Sequence, residues 1–435
     1  MMKNEGTLFN RIKLVGEHME IKRDRYLQEL ICRMHNGMIK VITGIRRSGK
    51  SYLVFRIFKE YLMSSGVNES HIIVIELDRR ENKKYRDPDV ILKYIDSLIV
   101  GEDDYYILLD EVQMLEEFED VLNSLLHTKN ADIYVTGSNP KFLSKDIITQ
   151  FRGRGDEIHV YPLSFKEFMN AYEGDKYEGW ADYVTYGGLP LTVTMQTEEQ
   201  KIRYLTRLFE ETYIRDIIER NHIERIQELN DLINVLASAI GSLTNPSKIE
   251  ATFKSVIQSD ISLNTIRQYM EYLKDAFIIH EANRYDVKGR KYIGTPLKYY
   301  FEDVGLRNAR LGFRQIEQTH LMENVIYNEL RIRGFQVDVG MVQKRTRTED
   351  GKQEKKQLEI DFVANIGSKR YYIQSALSLP NMEKVMQEKA SLLNVNDSFK
   401  KIIVVKDVMK VQRDENGITT MSIYDFLLNE NSLEM

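Results

Sequence analysis

One stretch constrains the fold of this chain more than any other: residues 44–51, which read GIRRSGKS. The spacing G-x-x-x-x-G-K-S is that of a phosphate-binding loop. The apolar segment 38–43 before it has the β-branched content of a buried strand, and residues 52–61 after it have the apolar spacing of a helix packed on a sheet. The motif therefore stands between a strand and a helix, which is the context that its chemistry requires.

Each part of this loop has a physical role. Gly44 and Gly49 allow the backbone to curl so that its N–H groups point inward and form an anion-binding hollow at a helix N-terminus. We expect Lys50 to reach the β- and γ-phosphate oxygens of a nucleotide and the hydroxyl of Ser51 to ligate Mg²⁺.

The first part of the chain predicts an α/β fold. Short apolar runs alternate with helical patterns as far as about residue 168, and the runs at 71–78, 105–110, 132–137 and 157–161 read as further strands. Runs that are apolar throughout are typical of a parallel sheet covered on both faces.

A second nucleotide signal follows the third strand. Asp110 stands at its carboxyl end, where a carboxylate can hold the hydration shell of Mg²⁺, and Glu111 is placed to polarise an attacking water. After the fourth strand, Ser138 and Asn139 either sense the γ-phosphate or cap a helix.

Arginines on a glycine-bearing turn precede the fifth strand. Arg154, and less strongly Arg152, could stabilise developing phosphate charge in the same chain or across a subunit contact. The alternative is that both are solvated surface side chains.

Composition restricts the remaining classes. The net charge of −5 gives no indication of a nucleic-acid or membrane partner. The single cysteine rules out an intramolecular disulfide. The longest apolar runs are far too short to cross a bilayer. We therefore expect a cytoplasmic protein with no membrane contact.

Seven segments carry a more specific signal: 39–51, 108–113, 135–138, 153–154, 161–168, 187–190 and 211–217. Together they resemble a family of prokaryotic AAA-like ATPases whose members add a C-terminal domain of unknown function related to restriction-type nucleases. The resemblance implies ATP rather than GTP as the nucleotide, and it makes Arg154 the arginine of the family's Gly-Arg pair. It also implies an additional-strand sheet, with the strand of Asp110 beside that of the phosphate loop.

We therefore divide the chain into four units. These are an AAA-like P-loop ATPase domain (1–172), a helical lid (173–225), a winged helix (226–294) and a degenerate restriction-nuclease-like α/β domain (295–435). In the lid, Arg215 is the nearest candidate for a second sensor arginine, although a surface salt bridge is the stronger interpretation.

Three helices and a hairpin predict the winged helix. Its third helix exposes side chains that can read base edges, and its wing tip is basic. The residues concerned are Asn264, Arg267, Gln268, Lys288, Arg290 and Lys291. The same helix also carries Glu271 and Asp275, so a docking role for protein partners is the alternative to DNA contact.

The last unit resembles a restriction-type nuclease whose active site has decayed. Glu329 on a helix and Asp361 on a strand match the pattern, but Gln374 stands where an acid should be and Ala376 where a lysine should be. A neutral amide binds a hard dication weakly. The Lys/Arg/Glu/Thr run 343–357 predicts a mobile hairpin loop.

The resulting hypothesis is Mg²⁺-dependent ATP binding and hydrolysis that switches the C-terminal units, in a chain that could form a homo-oligomer. The alternatives are a nucleotide-regulated DNA-binding protein with little turnover and an active DNA nuclease. The predicted catalytic residues are Glu111, Lys50 and Arg154, and the predicted metal ligands are Ser51 and Asp110. The predicted nucleotide-binding residues are Gly44, Arg47, Ser48, Gly49, Lys50, Ser51, Tyr52 and Ser138.

Overall fold

Strands and helices alternate through the first third of the chain, as the apolar runs predict. The computed structural model describes residues 21–137, 153–347, 353–407 and 409–435. Two predictions, for Arg152 and for Ser138 with Asn139, lie outside the described residues.

The first layer is built from five strands and the helices between them. The strands are β1 Ile39–Thr43, β2 Ile72–Glu76, β3 Tyr105–Asp110, β4 Ala131–Thr136 and β5 Gly155–His159. The helices are α1 Asp24–Cys32, α2 (Lys50–Tyr52, π-helical Leu53–Phe58 and Lys59–Ser64), α3 Pro88–Leu98 and α4 Phe118–Leu125. Three of the strands, β1, β3 and β4, are almost wholly buried, which explains their continuous apolar sequence.

The five strands are all parallel, in the order β2-β3-β4-β1-β5. The predicted parallel sheet is therefore confirmed, but the prediction that the strand of Asp110 lies beside the phosphate-loop strand is wrong. β4 is inserted between them and pairs with both. Apolar runs show that a strand is buried without showing which strands are its neighbours.

The middle of the chain, which follows the first sheet, is helical. They are α5 Phe165–Ala171, α6 Lys176–Tyr186, α7 Pro190–Thr194, α8 (Glu198–Leu208, π-helical Phe209–Ile214 and Arg215–Asn221), α9 Ile226–Ser238, α10 (Pro246–Thr252 and π-helical Phe253–Ile257) and α11 Leu263–Asp275. The caps are local: Asn245 accepts from Lys248 N, and Ser262 accepts from Thr265 N.

A second sheet of eight strands fills the C-terminal part, in the order β12-β13-β11-β10-β9-β8-β6-β7. Its strands are β6 Ile279–Asp286, β7 Lys291–Phe301, β8 Gln336–Arg347, β9 Gln353–Ile366, β10 Lys369–Ala376, β11 Lys400–Val405, β12 Gln412–Arg413 and β13 Ile418–Ser422. Its helices are α12 Val304–Arg310, α13 Gln318–Ile332, α14 Met382–Leu393 and α15 Ile423–Leu428.

The hairpin predicted as a wing is the edge of this second sheet. β6 and β7 form the antiparallel hairpin, but β6 also pairs in parallel with β8, where Arg284 lies opposite Val339. The boundary predicted between residues 294 and 295 falls inside β7. A free wing is therefore not observed, and contact of this face with DNA stays a prediction.

The segment 343–357 was expected to be a mobile loop, and its described part is not. The antiparallel ladder of β8 and β9 continues from Gln343 opposite Gln357 as far as Arg347 opposite Gln353. Backbone hydrogen bonds hold such a ladder without apolar side chains, so the polar composition alone misled the prediction.

One hydrophobic core joins the first domain to the rest of the chain. It begins at Ile45 and Leu163 near the phosphate loop, passes through the helices α6 and α8, and continues into β7, α13 and β10. Within the described ranges, every helix is too short or too polar to span a bilayer.

Asp338 in β8 provides a pH-dependent test of this packing. It is buried with Tyr292 OH 3.4 Å from its Oδ2, and burial raises the pKa of Asp338 to about 6. Because the unfolded pKa is about 3.9, the protonated form is favoured by folding. The stability that this group contributes is present below pH 4 and is lost as the pH rises through 6.

We therefore expect Asp338→Asn to raise the melting temperature at pH 7.5 by about 2 °C and to change nothing at pH 4. Thermal unfolding at both pH values checks this, with the exposed loop residue Asp103→Asn as the control. A gain of equal size at both pH values would contradict the assignment.

Candidate functional site

The phosphate-binding loop connects β1 to α2 at the carboxyl edge of the five-stranded sheet. Gly44 and Gly49 have φ of 131° and 98°, a region that side chains rarely adopt. A Cβ on Gly44 would also lie 2.3 Å from the carbonyl oxygen of Val160. Both glycines are therefore required by the backbone path, as the spacing predicts.

Lys50 lies across the hollow of this loop. Its side chain is buried, and Nζ donates to the carbonyl oxygens of Gly44 and Ile45 at 2.9 and 3.0 Å. Burial lowers the pKa of Lys50 to about 8, and the charge of Glu111 opposes that shift. The loop's own carbonyls thus hold the amine where phosphate oxygens would meet it.

Ser51 and Asp110 meet at the mouth of the loop. Ser51 Oγ donates to Asp110 Oδ1 at 3.1 Å, and the same carboxylate oxygen accepts from Thr136 Oγ1 at the end of β4. Burial raises the pKa of Asp110, which these two hydrogen bonds oppose. The structure therefore brings both predicted metal ligands together, and hydroxyl and carboxylate oxygens suit a hard cation such as Mg²⁺.

Glu111 begins the turn after β3 with a positive φ of 49°. Its backbone N–H donates to Thr136 Oγ1 at 3.2 Å, and its Oε2 accepts from Gln113 Nε2. Thr136 thus touches both acids. No motif marks this threonine as a site residue, because its neighbours depend on the insertion of β4 beside β3.

The remaining predicted loop residues are divided between the interior and the surface. Ser48 is fully buried, and its backbone carbonyl accepts from Arg23 Nη1 at 3.2 Å. Arg47 and Tyr52 are exposed on the outer side of the loop.

Helix α8 contacts the loop directly. Tyr213 OH donates to the carbonyl oxygen of Arg46 at 2.5 Å, and Arg46 forms an ion pair with Asp216 at 2.8 Å. An open groove of about 760 Å³ lies beside Arg47 and is lined by residues of α8 that include Tyr204. Arg215 points elsewhere and pairs with Glu219 on the surface at 4.0 Å, as the surface interpretation predicted.

Arg154 lies at the opposite edge of the sheet from the loop of its own chain. Its carbonyl oxygen accepts from Ile39 N at 2.9 Å, at the amino end of β1. The five residues of β1 separate that end from Gly44 by about 16 Å at 3.3 Å per residue. This distance argues against a role for Arg154 on the nucleotide of its own chain. A contact across a subunit boundary and a solvated surface side chain are the two interpretations left, and Arg154 is exposed.

The acids of the C-terminal part are arranged differently from the prediction, and its likeness to a restriction-type nuclease stays a prediction. Glu329 is bound by Arg333 at 2.7 Å and does not face Asp361. The acid near Asp361 is Glu323, which lies six residues earlier on α13 and so on another face of the helix. Glu329 was therefore the wrong choice.

A buried lysine stands among these carboxylates. Lys298 Nζ lies 2.8 Å from Glu323 and from Glu359, and 4.0 Å from Asp361. The charges of Glu323, Asp361 and Glu359 raise the pKa of Lys298 against the effect of burial. Because Lys298 belongs to β7, far from these acids in sequence, only the fold reveals that an ammonium occupies the centre of the cluster.

Two protein-family models match the first two parts of the chain. Residues 36–169 match a family model described as an AAA domain, and residues 177–317 match a domain of unknown function. An uncharacterized protein of Haemophilus influenzae is 33% identical over 94% of this chain and 98% of its own length. One from Methanocaldococcus jannaschii is 26% identical over 89% of this chain and 86% of its own.

Among solved structures, the Aeropyrum pernix Orc1 protein in complex with DNA is similar with a TM-score of 0.28 and 14% identity. That match covers 68% of this chain and 94% of the other. A likeness at this level supports no conclusion about this chain.

The cluster around Lys298 can be tested without knowing its function. Removing the cation from a buried ion cluster leaves carboxylates uncompensated, which costs about 3–5 kcal/mol. We therefore expect Lys298→Met to lower the free energy of unfolding in urea by about that amount, or to abolish folding.

Lys288→Met, on the exposed turn between β6 and β7, serves as the matched control and should be nearly neutral. A Lys298→Met protein as stable as the wild type would show that the surrounding carboxylates carry no charge in the folded chain.

Proposed function

The chain belongs to the same family as the Haemophilus influenzae relative and has an AAA domain in its amino-terminal part; from this premise we propose that it is a Mg²⁺-dependent ATPase. The observation that carries the proposal is the hydrogen bond of 3.1 Å from Ser51 to Asp110 at the mouth of the phosphate-binding loop. It joins the loop motif to the acid that follows β3, and the two lie far apart in sequence.

Each residue has a role that its position supports. The N–H groups of the loop would bind the phosphates, and Lys50 would leave the carbonyls of Gly44 and Ile45 to contact the β- and γ-phosphates. Ser51 and Asp110 would hold Mg²⁺, which neutralises phosphate charge when bound. Glu111 would orient and polarise the attacking water.

Helix α8 is the proposed link between the nucleotide and the rest of the chain. The groove beside Arg47 opens next to the loop and has room for a base and ribose. Since Tyr213 and Asp216 of α8 contact the loop backbone and Arg46, a nucleotide that moves the loop would move this helix. The C-terminal units share one core with α8, so they would follow.

A first test separates binding from turnover. Mg-ATP at about 100 times its Kd should stabilise the wild type by about 2.7 kcal/mol. Lys50→Ala should abolish this stabilisation, whereas Lys59→Ala on the same helix should keep it. Glu111→Gln should still be stabilised but should lose hydrolysis by about 100-fold or more.

Thermal shift and phosphate release measure the two quantities. Full stabilisation of Lys50→Ala would exclude the loop as the phosphate site, and unchanged hydrolysis by Glu111→Gln would remove Glu111 as the water activator.

The position of Arg154 allows a test of whether two subunits share one nucleotide site. We propose that this arginine completes the site of a neighbouring subunit, so both Arg154→Ala and Glu111→Gln should be inactive alone. When the two variants are mixed, an intact site of the first can meet the arginine of the second. Hydrolysis should then reappear.

The matched control is the double variant Glu111→Gln/Arg154→Ala, which should restore nothing when mixed with Arg154→Ala. Wild-type hydrolysis by Arg154→Ala alone, or no recovery in the first mixture, would show that the arginine plays no part across a subunit contact.

A further inference from the structure

A group of two histidines and one glutamate lies where the two sheets of the molecule meet. His159 ends β5 of the first sheet, His280 lies in β6 of the second sheet, and Glu302 directly follows β7. Their ligand atoms all lie within 4.8 Å of one another, and no other such group of three occurs among the residues that the structure describes.

The three side chains converge on one point. His280 Nε2 lies 2.8 Å from Glu302 Oε2, and His159 Nε2 lies 3.2 Å from the same oxygen. Ligand atoms around a tetrahedral Zn²⁺ with bonds of about 2.0–2.1 Å are separated by similar distances. The three donors can therefore reach one ion after small adjustments of their side chains.

The hydrogen bonds of Thr43 determine the tautomer of His159. Thr43 Oγ1 donates its only proton to Glu157 Oε1 at 2.8 Å, so it accepts from His159 Nδ1–H at 3.2 Å. In the neutral ring Nε2 then carries a lone pair, and this lone pair faces a carboxylate oxygen. Two lone pairs cannot face each other at this distance, so the contact requires either a proton shared between the ring and the carboxyl group or a metal ion between them.

Glu302 supplies an independent indication of a ligand. Glu302 is only 2% exposed. Its second carboxylate oxygen, Oε1, is buried without a hydrogen-bond partner in the described structure. Lys50 and Arg331 act on Glu302 electrostatically without donating to this oxygen. A protonated His159 would satisfy Oε2 and leave Oε1 unpaired, whereas a metal ion can bind both oxygens.

We propose that His159, His280 and Glu302 form a site for a Zn²⁺-class divalent ion that joins the two sheets. Two imidazole nitrogens and one carboxylate are a ligand set that Zn²⁺ takes in proteins with a fourth position left for water. Thr43 orients His159 through Nδ1, as outer partners of metal-binding histidines do. Tyr161 and Phe277 pack against the His159 ring and limit access of solvent.

The proposed metal site lies next to the phosphate-binding loop on one side and to the C-terminal sheet on the other. His159 lies opposite Thr43 in the β1–β5 pairing, and Thr43 directly precedes Gly44 of the phosphate-binding loop. Asp303, next to Glu302, accepts from Gly188 N at 2.8 Å and from Leu306 N at 2.9 Å. An ion here would fasten the base of the loop to the C-terminal sheet.

The full-length protein, freed of metal by chelation and dialysis, should bind one Zn²⁺ per chain in competition with a chromophoric chelator. Co²⁺ should give the visible absorption of a four-coordinate site. Glu302→Gln and His280→Gln should each weaken Zn²⁺ binding by about 100-fold or more. His320→Gln, which removes an exposed histidine paired with Glu317, should leave binding unchanged.

Circular dichroism reports whether each variant is folded, and the measurements on the wild type decide the question even if the variants do not fold. Wild-type protein that binds no stoichiometric Zn²⁺ and gives no four-coordinate Co²⁺ spectrum would overturn the proposal. So would a folded Glu302→Gln protein with wild-type affinity. The group would then be a carboxylate shared between protonated imidazoles.

Discussion

The parallel pairing of β1, β4 and β3 is the constraint on which the rest of the molecule depends. Because parallel strands end at the same edge, the pairing brings Gly44 and Asp110 to one side of the sheet. Thr136, at the end of the strand between them, then reaches both Asp110 and the backbone of Glu111. A single hydroxyl thereby fixes the two acids relative to each other and to Ser51.

A second constraint is the shared core of the middle and C-terminal parts. Arg307 of α12 is fully buried and donates to the carbonyl oxygen of Ala237 at 2.8 Å. Its neighbour Asn308 donates to the carbonyl oxygens of Val184 and Thr185, each at 2.9 Å. Buried polar side chains that bond to backbone in this way hold α6 and α9 against α12, since losing any of these partners would leave a buried group unsatisfied.

Features that depend on neighbouring residues were predictable from the sequence. The two glycines of the loop and the strand that ends at Asp110 are both local features, and the structure has each of them. Strand order, the partner of Asp361 and the position of Arg154 relative to the loop are long-range. The apolar pattern contains no information about them. The additional strand of the sheet is present as β4, but the sequence indicated the wrong neighbour for the strand of Asp110, indicated the wrong acid as the partner of Asp361 and left the role of Arg154 open.

The same distinction explains what was missed. Lys298 lies just after the predicted winged helix and belongs to no motif, and only the folded chain places its ammonium among three acids. His159 and His280 are separated by more than a hundred residues and drew no attention as single histidines. No motif marks either group, since their members come from different elements.

The pairing of β6 with β8 determines how the molecule can move. This pairing ties the β6–β7 hairpin and the rest of the eight-stranded sheet into one piece, because separating them would break a row of backbone hydrogen bonds. Any swing of that piece against the ATPase sheet must therefore turn about a hinge outside it. Because the piece is rigid, a rotation about that hinge would displace its far end more than the end next to the first sheet.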